Sequence, residues 1–281
     1  MKLFKLLFTF LILISFSTLI SAQEKVKEQV DSEEVELVND KLSFDIGADF
    51  MSRYVWRGLQ YGGNAPSIQP TLGLNWKGLN VGFWGAYSLA GLNESQELDF
   101  FLSYTFYKDM FTVLFTDYYF PNGRVPDKFY SYDEDSTSHI LEGTVSFNGT
   151  DKIPVSLLVA VNFYGADASR IENDPNSPKF NEKVGIQYST YLELGYSTTI
   201  IKKISFDAFA GFNLTNPRKE DTNTGYKGEG GFYSSKAGLV NIGVTFSKEI
   251  PITTKFGLPI STSLIANPVD NFYYFVFGIT L

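Results

Sequence analysis

Leu42-Ser43-Phe44-Asp45-Ile46-Gly47-Ala48-Asp49-Phe50-Met51-Ser52-Arg53-Tyr54-Val55-Trp56 alternates strictly between two kinds of side chain. The even positions are Leu42, Phe44, Ile46, Ala48, Phe50, Ser52, Tyr54 and Trp56. The odd ones are Ser43, Asp45, Gly47, Asp49, Met51, Arg53 and Val55. A period of two with one apolar and one polar face marks a β-strand. Fifteen residues is long for a strand of a globular domain, whereas a tilted strand crosses a hydrocarbon layer in about 9–11.

The same alternation recurs down the chain. Ile68, Leu72, Leu74 and Trp76 oppose Gln69, Thr71, Gly73 and Asn75. Leu79, Val81, Phe83, Gly85, Tyr87 and Leu89 form the next apolar row, and Leu98, Phe100, Leu102, Tyr104 and Phe106 oppose Glu97, Asp99, Phe101, Ser103 and Thr105. Met110–Phe120 is a strand whose phase Asp117 leaves open. Further rows follow at Leu141–Phe147, Val155–Phe163, Tyr188–Tyr196 and Ile204–Leu214, with last strands near Lys236–Phe246, Lys255–Ala266 and Phe272–Leu281. These make twelve strands, an even number, as expected of a transmembrane antiparallel up-and-down β-barrel. The 26 Phe and 17 Tyr are spread through every segment.

The connections test this independently. Lys77-Gly78 and Lys108-Asp109 read as two-residue turns, and Asn148–Lys152, Thr198–Lys203 and Ser247–Thr253 are also short. Arg57–Ala65, Pro121–Asp135, Gly165–Gly185 and Thr215–Phe232 are long, and the shorter links at Ala90–Ser95 and Asn267–Asn271 keep the alternation. Alternating short and long links are those of a barrel with tight periplasmic turns and external loops, not of a β-sandwich. They place both termini in the periplasm.

Before the first strand, Lys2, Lys5, the apolar Leu6–Ile14 and Ser21-Ala22 read as a cleavable signal peptide over 1–22. Residues 23–41 are an acidic, flexible lead-in, so the barrel proper is 42–281. With no cysteine there is neither a disulfide framework nor a lipid-anchored N-terminus. Loss of Lys2 and Lys5 with no acid takes the formal charge from −8 to −10, and an acidic chain is a poor partner for nucleic acid. The row Tyr273, Phe275, Phe277, Ile279, Leu281 resembles the terminal signal read by the barrel-assembly machinery, although the usual last residue is aromatic. Outer-membrane lipid and lipopolysaccharide are the other expected partners. The expected location is the outer membrane of a Gram-negative cell.

Twelve strands at a tilt near 40° give a backbone radius of roughly 12 Å, a bore suited to ions and small solutes. The inward rows carry Asp45, Asp49, Glu97, Asp99, Glu142, Glu193 and Asp207 against Arg53 and Arg57. Rings of one charge sign set pore selectivity, so neutral or cationic small hydrophilic solutes are favoured over anions. Asp49, Arg53 and Arg57, four apart on one face, read better as an ion-paired set stiffening the wall than as a basic ladder. Tyr54, Trp56, Trp76, Tyr164, Tyr188, Tyr196 and Tyr273 lie at or near strand ends and read as interface girdles. Strand phase points Trp84 into the lumen.

His139, the only histidine, follows Ser136, Thr137 and Ser138. Catalysis needs a nucleophile, a base and an orienting group in space, so an interfacial histidine is the default and no enzyme is expected. The sequence implies no metal or cofactor; the loop acids match no calcium-loop spacing.

Asp49-Phe50-Met51-Ser52-Arg53-Tyr54-Val55-Trp56-Arg57-Gly58, then Ser67-Ile68-Gln69-Pro70, Gly82-Phe83-Trp84-Gly85-Ala86-Tyr87-Ser88 and Glu97-Leu98-Asp99, resemble the TorF-like porins of Gram-negative bacteria over residues 44 to about 107. The resemblance implies an outer-membrane barrel with a porin-like role and carries over no catalytic residue. Three functions are therefore expected, in order. The first is a passive channel for small hydrophilic solutes. The second is a non-conducting barrel whose loops bind a surface partner, and the least favoured is a lipid-modifying enzyme.

Overall fold

The computed structural model describes residues 41–89, 96–121, 129–134 and 136–281; the leader, and the lead-in except Lys41, lie outside them. The strands are β1 (Ser43–Met51), β2 (Tyr54–Trp56), β3 (Leu59–Tyr61), β4 (Ser67–Trp76), β5 (Leu79–Ser88), β6 (Gln96–Phe106), β7 (Phe111–Tyr119), β8 (His139–Phe147), β9 (Val155–Gly165), β10 (Ser169–Ile171), β11 (Lys183–Ile186), β12 (Thr190–Ile200), β13 (Ile204–Asn213), β14 (Gly238–Pro251), β15 (Gly257–Asn267) and β16 (Phe272–Thr280). Twelve of them close into one barrel, in the order β1-β4-β5-β6-β7-β8-β9-β12-β13-β14-β15-β16 and back to β1, every pair antiparallel. Closure gives every strand two neighbours, which over most of the wall removes the bare edges a lipid-facing sheet could not keep.

The two rows of each strand divide as the alternation dictates. Phe44, Ile46, Leu72, Phe83, Leu102, Leu194, Leu264 and Phe275 point outward and are exposed, while Ser67, Gln69, Thr112, Thr116, Thr144, Ser146, Asn162 and Asn213 point inward and are buried. The protein is therefore polar inside and apolar outside. The short links gather at one end, where β1 starts and β16 finishes, and the long links at the other.

Several local expectations change. The first strand does not run to Trp56: β1 stops at Met51, and Tyr54–Tyr61 forms a separate hairpin, β2 with β3. The turn at Lys108-Asp109 spans Tyr107–Met110, because Phe106 pairs with Phe111. Ser247–Pro251 is not a turn but the end of β14, continuing its ladder with β15. The open phase of β7 is settled by its partners: Asp117 pairs with Phe100 and Leu141, both outward, so Asp117 lies on the outer face. Two bulges shape the loop end, one leaving Phe163 unmatched between β8 and β9, the other leaving Val240 unmatched between β13 and β14. An additional residue bends a strand and re-aims a side chain; Val240 is thereby fully buried.

Lower in the barrel, side chains fill space that glycines leave. A Cβ on Gly82 would sit 2.2 Å from the Leu72 carbonyl oxygen and 2.7 Å from the Phe101 ring. Gly82→Val should therefore cost about 1–3 kcal/mol through overpacking. The check is a lowered urea midpoint for the heat-modifiable, folded band on electrophoresis. Gly143→Ala, whose Cβ would meet only Phe163 at 3.8 Å, should leave that midpoint unchanged.

Candidate functional site

After Met51 the chain leaves the wall and enters the lumen. Arg57 and Gly58, with φ of 49° and 78°, form the two-residue turn between β2 and β3, the positive-φ geometry that suits a twisted hairpin. A Cβ on Gly58 would lie 1.9 Å from the Val240 carbonyl oxygen, so only glycine fits there. Asn267 on β15 donates to the Gly58 carbonyl at 3.3 Å. The tip thus rests on β14 and β15, three and two strands round from β1.

Arg57 reaches the opposite side, to Glu142 on β8, five strands round the other way. Its Nη2 donates to Glu142 Oε1 at 2.9 Å, and Nη1 bonds Oε2. Glu142, fully buried, also accepts from Tyr118 at 3.1 Å and Thr144 at 2.7 Å. Arg57 Nη1 donates to the Tyr233 hydroxyl at 2.7 Å. The guanidinium carbon stands 4.4 Å from the Trp56 ring centre and 4.7 Å from that of Tyr191. A fork-shaped cation, a carboxylate with its lone pairs filled, and aromatic faces are what make a buried ion pair tolerable.

The hairpin is packed as well as tied. Trp56 meets Tyr118, Phe232 and Tyr233 at 5.5, 6.4 and 6.0 Å between ring centres. Tyr233, carried in by the link between β13 and β14, meets Tyr191 at 5.4 Å. Tyr54 stands 5.5 Å from Trp84 and 5.3 Å from Tyr61. Hairpin and Phe232-Tyr233 together form an aromatic plug across the loop end of the lumen.

The inward candidates are distributed around it. Asp45, Asp49, Trp84, Glu97, Asp99, Glu142, Glu193 and Asp207 all lie on inward rows of the register. They do not form one ring. Glu193 accepts from Tyr191 at 2.5 Å and from Asn241 at 3.1 Å, and Asp49 accepts from Thr280 at 2.5 Å. Glu97 and Asp99 are buried beside Trp84, with Glu97 Oε2, Asp99 Oδ1 and Trp84 Nε1 unmatched. The set Asp49–Arg53–Arg57 does not pair internally. Arg53 donates to Gln60 and Asn64, both at 3.1 Å, because the end of β1 at Met51 takes both arginines off the wall.

Tyr54 and Trp56 are likewise not girdle residues. They belong to the inward hairpin, and Tyr54 is buried. Trp76, Tyr188, Tyr196 and Tyr273 are exposed on the surface, and Tyr164 lies on the outward row, its hydroxyl on the Tyr132 carbonyl.

His139 sits on the outer wall, under the segment 129–138. Its Nδ1 is 2.8 Å from Asp117 Oδ1 and its Nε2 is 2.7 Å from the Phe129 carbonyl oxygen. Tyr132 stacks on it at 4.2 Å and donates to Asp117 Oδ2 at 2.6 Å. Burial, then that hydrogen bond, pushes the Tyr132 hydroxyl up to about 12, so it remains a donor. With both ring nitrogens taken, His139 clamps the loop to the wall. Asp117, missed in the sequence as its partner, was marked by one signal: a carboxylate interrupting an apolar row.

The long links above the plug are ordered against one another. Glu229 accepts from Arg170 at 2.6 Å and from the Ile171 and Arg218 amides at 3.0 and 2.8 Å. Gln187 donates to the Ser169 and Gly230 carbonyls. Between these links lies an open groove of about 540 Å³ lined by Asp167, Lys227 and Phe232 among others.

Residues 39–174 match the model of a family described as "Bacterial protein of unknown function (Gcw_chp)". The matched stretch holds both Arg57 and Glu142, whereas Tyr233 and Val240 lie beyond it. No curated protein matches the chain. Among solved structures it is similar to Wzi of Escherichia coli, an outer membrane protein involved in group 1 capsule assembly and described as a carbohydrate-binding β-barrel. The identity is 11% and the TM-score 0.31, covering 85% of this chain and 56% of that one. The chain thus spans little more than half the length of that barrel.

Removing one partner of a buried ion pair costs about 3–5 kcal/mol. Arg57→Ala should therefore speed amide exchange in Tyr54–Tyr61 by roughly a hundredfold or more while the barrel strands stay protected, as mass spectrometry of the micelle-bound protein would show. Arg57→Met with Glu142→Leu should restore much of that protection.

Proposed function

We propose that the chain is an outer-membrane β-barrel that is closed to solutes in its resting form and acts at its loop end by binding a surface partner. One observation carries the closed lumen: Arg57 spans the bore to Glu142, with Tyr233 and Trp56 packed around the pair. The apolar outer rows and closed ladder support residence in a bilayer, where backbone polar groups must be satisfied within the protein. Lipid and lipopolysaccharide would surround the wall, and β16 would engage the assembly machinery. The short-turn end would face the periplasm.

The loop end supports the binding role. Glu229 and Gln187 hold two long links in one arrangement, so a partner would meet a preformed surface and lose less entropy on binding. Catalysis is not part of the reading, since the ring nitrogens of His139 are occupied by Asp117 and a main-chain carbonyl. The likeness to TorF-like porins enters only through a second state. With the hairpin withdrawn, Asp45, Asp49, Glu97, Asp99, Glu193 and Asp207 would line an acidic bore that favours neutral or cationic solutes.

Planar-bilayer recording separates the two. The folded native chain should show no conductance steps. Replacing Tyr54–Tyr61 by a Gly-Ser linker should produce steps selective for cations. Steady steps from the native chain would instead establish the passive channel and sink the closed-barrel reading.

A further inference from the structure

β1 and β16 close the barrel on three ladder pairs, Asp49 with Thr280, Phe50 with Ile279 and Met51 with Gly278, extended by the reciprocal backbone bonds of Ala48 and Leu281, against nine pairs between β1 and β4. The cause is the inward turn of the chain after Met51: the residues that would have continued β1 along β16 form the hairpin instead. Ser52 makes the last ties, its amide donating to the Phe277 carbonyl at 2.8 Å and its Oγ accepting from the Phe277 amide at 2.9 Å. Beyond it Phe272–Val276, roughly 17 Å of strand, is paired with β15 on one side only among the described residues. A strand edge facing hydrocarbon is unfavourable unless something polar covers it.

A partly open cavity of about 800 Å³ lies at this seam, within the roughly 300–1,000 Å³ range of small-molecule sites. Its outer wall is apolar, with Ile242, Leu264, Phe275 and Phe277; its inner end holds Arg53 and Asn64. Arg53 spends Nη1 on the neutral acceptors of Gln60 and Asn64. Among the described residues no carboxylate pairs with it, and Nε and Nη2 have no protein acceptor. A guanidinium has five N–H donors in a planar fork that matches a carboxylate.

We propose that this seam binds a long-chain fatty acid, its carboxylate on Arg53 and its chain along Leu264, Phe275 and Phe277. The acid supplies the anion that Arg53 lacks and acceptors beside the uncovered edge of β16, while the chain covers the apolar wall. The inference needs the barrel to sit among amphiphiles but does not need the lumen to be closed.

The test is equilibrium dialysis of radiolabelled palmitate against the full chain folded in nonionic micelles at fixed detergent concentration. The folding of every variant is read beforehand from its heat-modifiable mobility, so failure to enter micelles, which would count against membrane residence, is seen before ligand is added. One saturable site per chain is expected. Arg53→Gln should weaken it about tenfold or more, and Arg53→Lys, which keeps the charge but not the fork, should fall between the native chain and that variant. Leu264→Trp should block the groove from the lipid side without touching the hairpin, while Phe83→Ala, on β5 and outside the groove, should change nothing. Palmitate binding that does not saturate, competition by hexadecanol equal to that by palmitate, or unaltered binding to a folded Arg53→Gln variant would each overturn the site.

Discussion

A guanidinium buried inside a barrel, far from the strand that leads to it, has to be held by a carboxylate or not be there at all. Arg57 and Glu142 stand in that relation, and much of the loop end follows from it. Moving two charges out of water is expensive, and their attraction recovers the cost only when the remaining lone pairs and protons are satisfied. Tyr118, Thr144 and Tyr233 satisfy them, and Trp56 and Tyr191 cover the guanidinium faces. Tyr118, Thr144 and Tyr191 belong to the wall; Tyr233 is fixed by the link above it, Trp56 by the turn at Arg57-Gly58, and that turn by the bulge that presents Val240. The plug is an aromatic cluster with one buried ion pair at its centre.

Much of the barrel was legible because its physics is local. A strand with lipid on one side and a polar interior on the other must alternate, and Phe44/Asp45 or Leu98/Asp99 alternate for that reason alone. The links were legible from length, and Lys77-Gly78 from its turn chemistry. What escaped has a common cause. Tyr54–Trp56 continues the period of β1 perfectly, because a hairpin packed against a barrel wall also has two unlike faces. Period two reports that two environments exist, not which partner supplies them. The division at Met51 is decided by Val240, Asn267 and Glu142, between about 90 and 215 residues later in the chain, where a reading of local pattern has no access. Asp117 shows the complement: its breach of the apolar row was visible, but its meaning required His139 to be beside it across β7 and β8.

The inward turn at Met51 has two structural effects. It delivers Arg57 to the lumen, and it withdraws from the wall the residues that would have lengthened the seam between β1 and β16. A single departure of the chain thus fills the loop end of the bore and leaves one stretch of strand edge uncovered. Arg53 stands at the junction, bonded inward to Gln60 and Asn64 and lining the cavity at the seam. Plug and seam are therefore mechanically linked through the four residues from Arg53 to Arg57's neighbour Trp56.

The charge of the lumen gives this linkage a direction. Glu249 joins the seven acids already named on the inward rows, and Arg57 is the cation paired with the most deeply buried of them, Glu142. If the hairpin withdraws, Glu142 loses its counter-ion and keeps only the neutral donors Tyr118, Thr144 and Tyr233, and a buried carboxylate without its cation must be rehydrated or neutralised. Water entering the bore can do the first and a cation the second, but an anion can do neither. Withdrawal of the hairpin would therefore be coupled to wetting of the lumen or to uptake of positive charge. Glu142, one of the acids that would make an open barrel favour cations, is also the group that holds Arg57 in the bore.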